Sequence, residues 1–287
     1  MLLNINHLTT YIYSEAVPLN PHSIFLYPLP RNYASLISYH LDISPSPVDV
    51  QQRFSIENNP FSLAWFQGFH KTLSIEVKLQ LEIKPFNPFS FVVSPAFVKA
   101  FAAGNKGENL YSEDEMQLLG PSLVIEENTD FGGFAQQVKT ENEEPISFLV
   151  NLTEKIHEHW AHTIRYEENL WAPNKTFITK EGSCRDLSWM LMQMLRQMGL
   201  GSKFVSGYAF NPDLDEGNDL HAWVEVYLPG AGWVGIDPSL GLFTDEYYIP
   251  LASSSIPHFT LPVSGTYGGT ATSELHTEVL IEQVKNQ

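Results

Sequence analysis

The chain has 287 residues, 33 of them acidic and 16 basic, for a formal net charge of −17. Nucleic acid and anionic membrane surfaces both call for a basic face, so neither is expected as a partner. One cysteine excludes an internal disulfide framework. No Lys or Arg precedes Arg31 and no apolar run approaches the roughly 20 residues of a membrane span, so a soluble, cytoplasmic protein is expected.

Residues 1–100 read as a β-rich N-terminal domain. Over 73–83, Leu73, Ile75, Val77, Leu79, Leu81 and Ile83 alternate with polar residues, the period of a strand with one buried face. Residues 36–43 form a second strand. Turn signals at Pro18-Leu19-Asn20-Pro21 and Ser44-Pro45-Ser46-Pro47 divide the region in the manner of an antiparallel sandwich. Residues 101–144 are acidic with little periodicity and read as a connector, with a short helix around 131–138. Glu143-Glu144-Pro145 is a helix start with Pro at the first helical position. Leu149, Leu152, Ile156, Trp160 and Ile164 give that helix one apolar face, and the second domain is expected over 145–287.

Within the second domain, Cys184 stands in Gly182-Ser183-Cys184-Arg185-Asp186, ahead of Leu187, Met190, Leu191, Met194, Leu195 and Met198. Those spacings describe an amphipathic helix, with Ser183 as N-cap and Gly199 just past its end. Cys184 then falls in the first turn. Free N–H groups and the positive end of the helix dipole favour thiolate there, and the same N–H groups can hold an oxyanion.

Downstream, residues 219–228 alternate as a strand carrying His221, and residues 233–236 form a short strand ending at Asp237-Pro238. Pro229-Gly230-Ala231-Gly232 is the turn between them. In an antiparallel hairpin, His221 and Asp237 share a face if Trp223 or His221 lies opposite Asp237. Leu228 opposite Trp233 would put them on opposite faces unless a bulge intervened. An odd-length turn or a bulge is therefore expected. Cys184, His221 and Asp237 are the candidate nucleophile, general base and orienting acid of a thiol acyl-transfer enzyme.

These segments resemble the transglutaminase-like superfamily, whose order is Cys, His, Asp. The matching stretches are Gly182-Ser183-Cys184-Arg185-Asp186, residues 203–208, residues 221–227 and residues 232–239. The first hundred residues resemble the β-rich N-terminal region of bacterial members through His7-x-Thr9-x-Tyr11-x-Tyr13, Val17 and His22. Residues 262–269 and 275–279 also match the family tail. Arg185 and Ser188-Trp189 depart from the commonest bacterial pattern, and Glu57-Asn58-Asn59 lacks a Gly found in many N-terminal regions. The resemblance implies an α+β protein, an N-terminal antiparallel β-sandwich followed by a papain-like core. It also implies a catalytic triad of Cys184, His221 and Asp237. Asp186 matches a recurrent family position and reads as structural, an acid in the first helical turn.

The expected reaction is cleavage of a peptide or amide in a peptide or protein substrate, without cofactor or metal. Acyl transfer to an amine shares the same acyl-enzyme and stands as the alternative; a non-catalytic peptide-binding module is a further one. The acidic surface would steer a cationic substrate favourably, although it serves solubility as well. His157, Glu158, His159 and His162 cluster, but the i, i+4 histidine pair of a helical metal site is missing. Trp171 and Asn174 are the available guesses for a second oxyanion donor.

Overall fold

The computed structural model describes residues 1–165, 167, 169–210 and 219–284, and only the backbone of Glu108. The N-terminal part consists of six strands: β1 (Leu2–Pro18), β2 (His22–Ile24), β3 (Ala34–Ser44), β4 (Asp49–Phe54), β5 (Pro60–Trp65) and β6 (Phe69–Ile83). Four helices follow, α1 (Pro95–Ala102), α2 (Glu113–Leu119), α3 (Phe134–Val138) and α4 (Pro145–His159). Next come β7 (Ala161–His162), α5 (Pro173–Thr179), β8 (Glu181–Gly182) and α6 (Cys184–Gln197). The second domain's sheet is built from β9 (Ser202–Ala209), β10 (Asp219–Leu228), β11 (Gly232–Asp237), β12 (Leu242–Phe243) and β13 (Tyr248–Ser254). Two strands end the chain, β14 (Val263–Ser264) and β15 (Ser273–Gln283).

The expected alternation of β6 is realised: Leu73, Ile75, Val77, Leu79, Leu81 and Ile83 are all buried. β6 lies in a four-stranded sheet of order β15-β1-β6-β3, while a second sheet runs β14-β2-β5-β4. Each sheet of the sandwich thus takes an outer strand from the C-terminus. Residues 263–264 and 273–283, expected within the second domain, pair with the N-terminal strands instead, His7 opposite Val279 and Ile24 opposite Val263. The physical reason is edge closure: β1 and β2 each need a second neighbour for their free N–H and C=O groups.

The connector expected over 101–144 is also part of a domain. Phe97, Phe101, Leu110, Tyr111, Leu119 and Phe131 are buried in one cluster with α4, α6 and the five-stranded sheet β12-β11-β10-β9-β13. Scattered apolar residues on short helices cover the helix layer there without producing a long period. α4 begins at Pro145 as expected but ends at His159, so Ile164 lies outside it and is exposed. The chain leaves the helix because Ala161 N–H donates to Lys180 C=O, opening the parallel pairing of β7 with β8.

α6 is the central element. It is buried on almost every side, between the face of β10 that carries Ala222, Val224, Val226 and Leu228 and the outer helices. Farther along the same sheet, Tyr208, Ile249 and Leu251 share one apolar cluster with Leu3, Ile5, Ile75 and Val77 of the sandwich. The two domains are therefore joined by a common core.

Polar contacts pin the same interface. Asn59, in the β4–β5 turn, donates from Nδ2 to Ser253 C=O (2.8 Å) and accepts from Ser253 N–H at Oδ1 (3.0 Å). His7 occupies an inward position of β1 between apolar neighbours. Its ring bonds to Tyr208 Oη at Nδ1 (2.8 Å) and to Thr9 Oγ1 at Nε2 (2.8 Å). Burial pulls its pKa down to about 4. An unfolded histidine titrates near 6.5, so between those values the unfolded chain holds more protons at this site. The contribution of His7 is complete above about pH 6.5 and is lost as pH falls toward 4, about 3 kcal/mol at the limit. Urea titrations at pH 7.5 and 4.5 should show a smaller acid-side loss of stability in His7→Gln than in the wild type.

Candidate active site

Ser183 caps α6 as the sequence predicts, and Asp186 completes a capping box: Ser183 Oγ accepts from Asp186 N–H while Asp186 accepts from Ser183 N–H. The buried Asp186 does more than cap. Its Oδ2 also accepts from Ser183 Oγ (2.7 Å) and Arg165 Nη1 (2.5 Å), and its Oδ1 accepts from Trp171 N–H (2.8 Å). Burial opposes ionisation of this carboxyl, yet those donors hold its pKa below the usual carboxylate value. Gly182, before the cap, has no room for a side chain, since a Cβ would lie 2.9 Å from Asp186 Cβ.

Cys184 is the first residue of the helix and is partly exposed. Four residues further on, Ser188 Oγ donates to Ala222 C=O (3.0 Å), fixing the start of α6 against β10 beside His221.

The β10–β11 hairpin resolves the question of faces. Leu228 pairs with Gly232, Val226 with Val234 and Val224 with Ile236, leaving the three-residue loop Pro229-Gly230-Ala231. Carried one residue further, this register sets Trp223 opposite Asp237, so His221 and Asp237 are diagonal neighbours on one face. Gly230 and Gly232 adopt positive φ (+93° and +81°), which makes the odd-length turn possible. His221 Nε2 donates to Asp237 Oδ2 at 2.7 Å.

Asp237 is fully buried and every lone pair has a use. Oδ2 also accepts from Tyr248 Oη (2.8 Å), while Oδ1 accepts from Ser239 N–H (2.8 Å) and Ser239 Oγ (2.6 Å). Burial raises the pKa of such a carboxyl, but the His221 charge and these donors outweigh it and keep Asp237 ionised. Behind this group, Tyr33 Oη donates to Tyr248 C=O (2.8 Å) and His157 Nδ1 donates to Ser239 C=O (2.8 Å). The sandwich and α4 therefore both brace the acid.

The sulfur and the ring titrate as a pair. Burial pushes the Cys184 thiol up, but the His221 charge and hydrogen bonds from His162 and His221 overcome this, bringing it down to about 6. For His221 burial favours the neutral ring, yet the charges of Asp237 and Cys184 raise its pKa well above the ordinary value. The resting arrangement is thiolate beside imidazolium.

All three candidate residues of the triad are thus brought together. Sequence reasoning missed Tyr248, His157 and the second imidazole at the sulfur, His162, because none stands in a pattern that sets it apart. In the sequence His157, Glu158, His159 and His162 stand as neighbours. In the fold His157 serves Ser239, His159 donates to Lys155 C=O within α4, and His162 faces Cys184. Among the described residues, no group of three or more His, Cys, Asp or Glu is placed to hold a metal ion. Of the two guessed oxyanion donors, the Asn174 amide is occupied elsewhere. Asn174 accepts from Asp130 N–H and donates to Asn128 C=O. The Trp171 N–H serves Asp186, and its ring lies between the Arg165 guanidinium (4.3 Å) and Lys175 Nζ (3.7 Å).

This fold and this grouping define a transglutaminase-like protein. Residues 132–238 match the Transglutaminase-like superfamily and residues 3–82 match the Bacterial transglutaminase-like N-terminal region. The chain belongs to that superfamily. Uncharacterized proteins of Mycobacterium bovis and Mycobacterium tuberculosis are 24% identical to it over 258 residues, 85% of this chain and 81% of theirs. A protein-glutamine gamma-glutamyltransferase of Pseudomonas aeruginosa is 26% identical over 127 residues, 41% of this chain and 19% of that protein. The fold is shared with the crystal structure of a candidate cysteine protease from Cytophaga hutchinsonii. That structure has a TM-score of 0.69 at 15% identity, covering 100% of this chain and 92% of the other. No described helix is long and apolar enough to cross a membrane.

Proposed function

We propose that the protein is a thiol hydrolase that cleaves amide bonds of a peptide or protein substrate through a thioester at Cys184. The observation that carries this reading is the partly exposed thiol at a helix N-terminus, acted on by an imidazole that is itself bonded to a buried carboxylate. Cys184 Sγ attacks the carbonyl carbon and the C=O electron pair moves to oxygen. Collapse of the intermediate breaks the C–N bond, and His221 delivers a proton to the departing nitrogen. Water, deprotonated by His221, then attacks the thioester and releases the acid. Asp237 holds the ring orientation and its charge throughout.

Hydrolysis is favoured because the site opens toward solvent: residue Cys184 is partly exposed and His162 beside it is exposed. Transfer to a primary amine would use the same thioester, and similarity to the Pseudomonas aeruginosa gamma-glutamyltransferase over 127 residues makes it the second reading. Ammonia release from glutaminyl peptides, followed by amine incorporation into the same peptides, separates the two. Hydrolysis predicts ammonia release that is insensitive to added primary amine and no adduct; stoichiometric adduct formation would overturn it in favour of transfer. If cleavage of mixed peptide substrates and ammonia release both survive Cys184→Ala, the thiol mechanism itself falls.

A further inference from the structure

Two imidazoles address the Cys184 sulfur, and the triad accounts for only one. The second, His162, is held by an independent piece of structure. β7 pairs in parallel with β8, setting His162 opposite Gly182, two residues before the nucleophile. Thr163 N–H donates to Gly182 C=O (2.9 Å) and Ala161 N–H to Lys180 C=O (2.8 Å), so backbone bonds grip the chain on both sides of His162. From that position its ring is close enough to the sulfur to help lower the thiol pKa. His221 has its carboxylate in Asp237. His162 has solvent on its other side, being exposed.

A donor on a resting thiolate has a further use once the thiolate attacks. When the Sγ–C bond forms, sulfur loses its charge and the hydrogen bond to it weakens. The charge passes to the carbonyl oxygen, which is bonded to the carbon that sulfur has just joined. A donor already at the sulfur is then within a small ring rotation of the oxyanion. His221 is unsuited to the task because its proton is needed by the leaving nitrogen. Cys184 N–H, a first-turn amide without an intrahelical acceptor, supplies one donor, and papain-like chemistry calls for another.

We propose that His162 is the second oxyanion donor, its ring N–H moving from Cys184 Sγ to the carbonyl oxygen as the tetrahedral intermediate forms. His162 keeps its proton throughout: the oxygen's electron pair returns to carbon on collapse, and the only proton transferred is that of His221. This role rests on the acyl-enzyme reading above.

The test compares two reactions of the same thiol at pH 9, where it is ionised in the wild type and in both His162 variants. Acylation by p-nitrophenyl acetate, read as the nitrophenolate burst, passes through an oxyanion. Alkylation by iodoacetamide displaces iodide at a saturated carbon and does not. His162→Ala should slow the burst about 100-fold or more, while alkylation stays the same or rises a few-fold. His162→Gln, which restores an N–H donor, should recover much of the burst. Parallel loss of burst and alkylation would make His162 merely structural, and an unchanged burst would also overturn the proposal. A wild-type protein with an acidic, alkylatable thiol but no His221-dependent burst would sink the acyl-enzyme reading itself, and this inference with it. Thermal unfolding of each variant checks that the fold is intact.

Discussion

Alkylation of Cys184 by iodoacetamide should titrate with a midpoint near pH 6 in the wild type and at pH 8.5 or above in His221→Ala. The thiol is brought to about 6 against the effect of its burial, and the largest opposing influence is the His221 charge. Removing the ring removes that charge and one hydrogen bond, so the effect of burial returns the thiol to about its ordinary value of 8.5 or above, with His162 left as the weaker opposing influence. The midpoint is the proper readout. A less acidic thiolate is intrinsically the stronger nucleophile, so the plateau rate of the variant can exceed that of the wild type. Turnover behaves differently: without a base to take and return the proton, amide cleavage should fall about 10³-fold or more. Coincident wild-type and variant profiles would show that no ion pair exists, and the nucleophile assignment would fail.

The largest effect on stability is expected at Asp186. Asp186→Ala removes the acceptor for Ser183 N–H, Ser183 Oγ, Arg165 and Trp171 N–H together. The Arg165 side chain, only 10% exposed, is left without its buried partner. Breaking a buried pair from one side typically costs about 3–5 kcal/mol, and loss of the cap adds about 1 kcal/mol. For a chain of this size that corresponds to a fall in Tm of roughly 10 °C. Asp186→Asn, which keeps the shape and part of the acceptor capacity, should fall between the two. A loss below about 1 kcal/mol in Asp186→Ala would mean that the helix start is held by something other than this carboxylate. The departure at Glu57-Asn58-Asn59 has a structural meaning as well. Asn58 takes the positive φ (+63°) that the turn requires, and Asn59 clamps β13.

The site was legible to the extent that its parts are local. Ser183 and Asp186 mark a capped helix within four residues, and the stripe from Leu187 to Met198 states which side is buried. The alternation from Asp219 to Leu228 names His221's face, whereas the sequence reads Pro229-Gly230-Ala231-Gly232 as the turn and only the observed pairing of Leu228 with Gly232 gives the odd length that brings Asp237 onto that face. His162 and Tyr248 were not legible. Each reaches the site through a pairing between segments far apart in the chain, His162 through β8 and Tyr248 through β9.

The sequence by itself determined the two-part α+β organisation, the central helix with its cap, and the order of Cys184, His221 and Asp237 along the chain. These follow from propensities, periods and turn lengths that operate over a few residues. Only the tertiary structure decided that β14 and β15 return to the sandwich, that the acidic stretch before α4 packs as part of the second domain, and that a second histidine and a tyrosine complete the site. Those outcomes depend on which distant edges and apolar faces satisfy one another. Burial of one segment is defined there by the shape of another, and no local pattern carries that information.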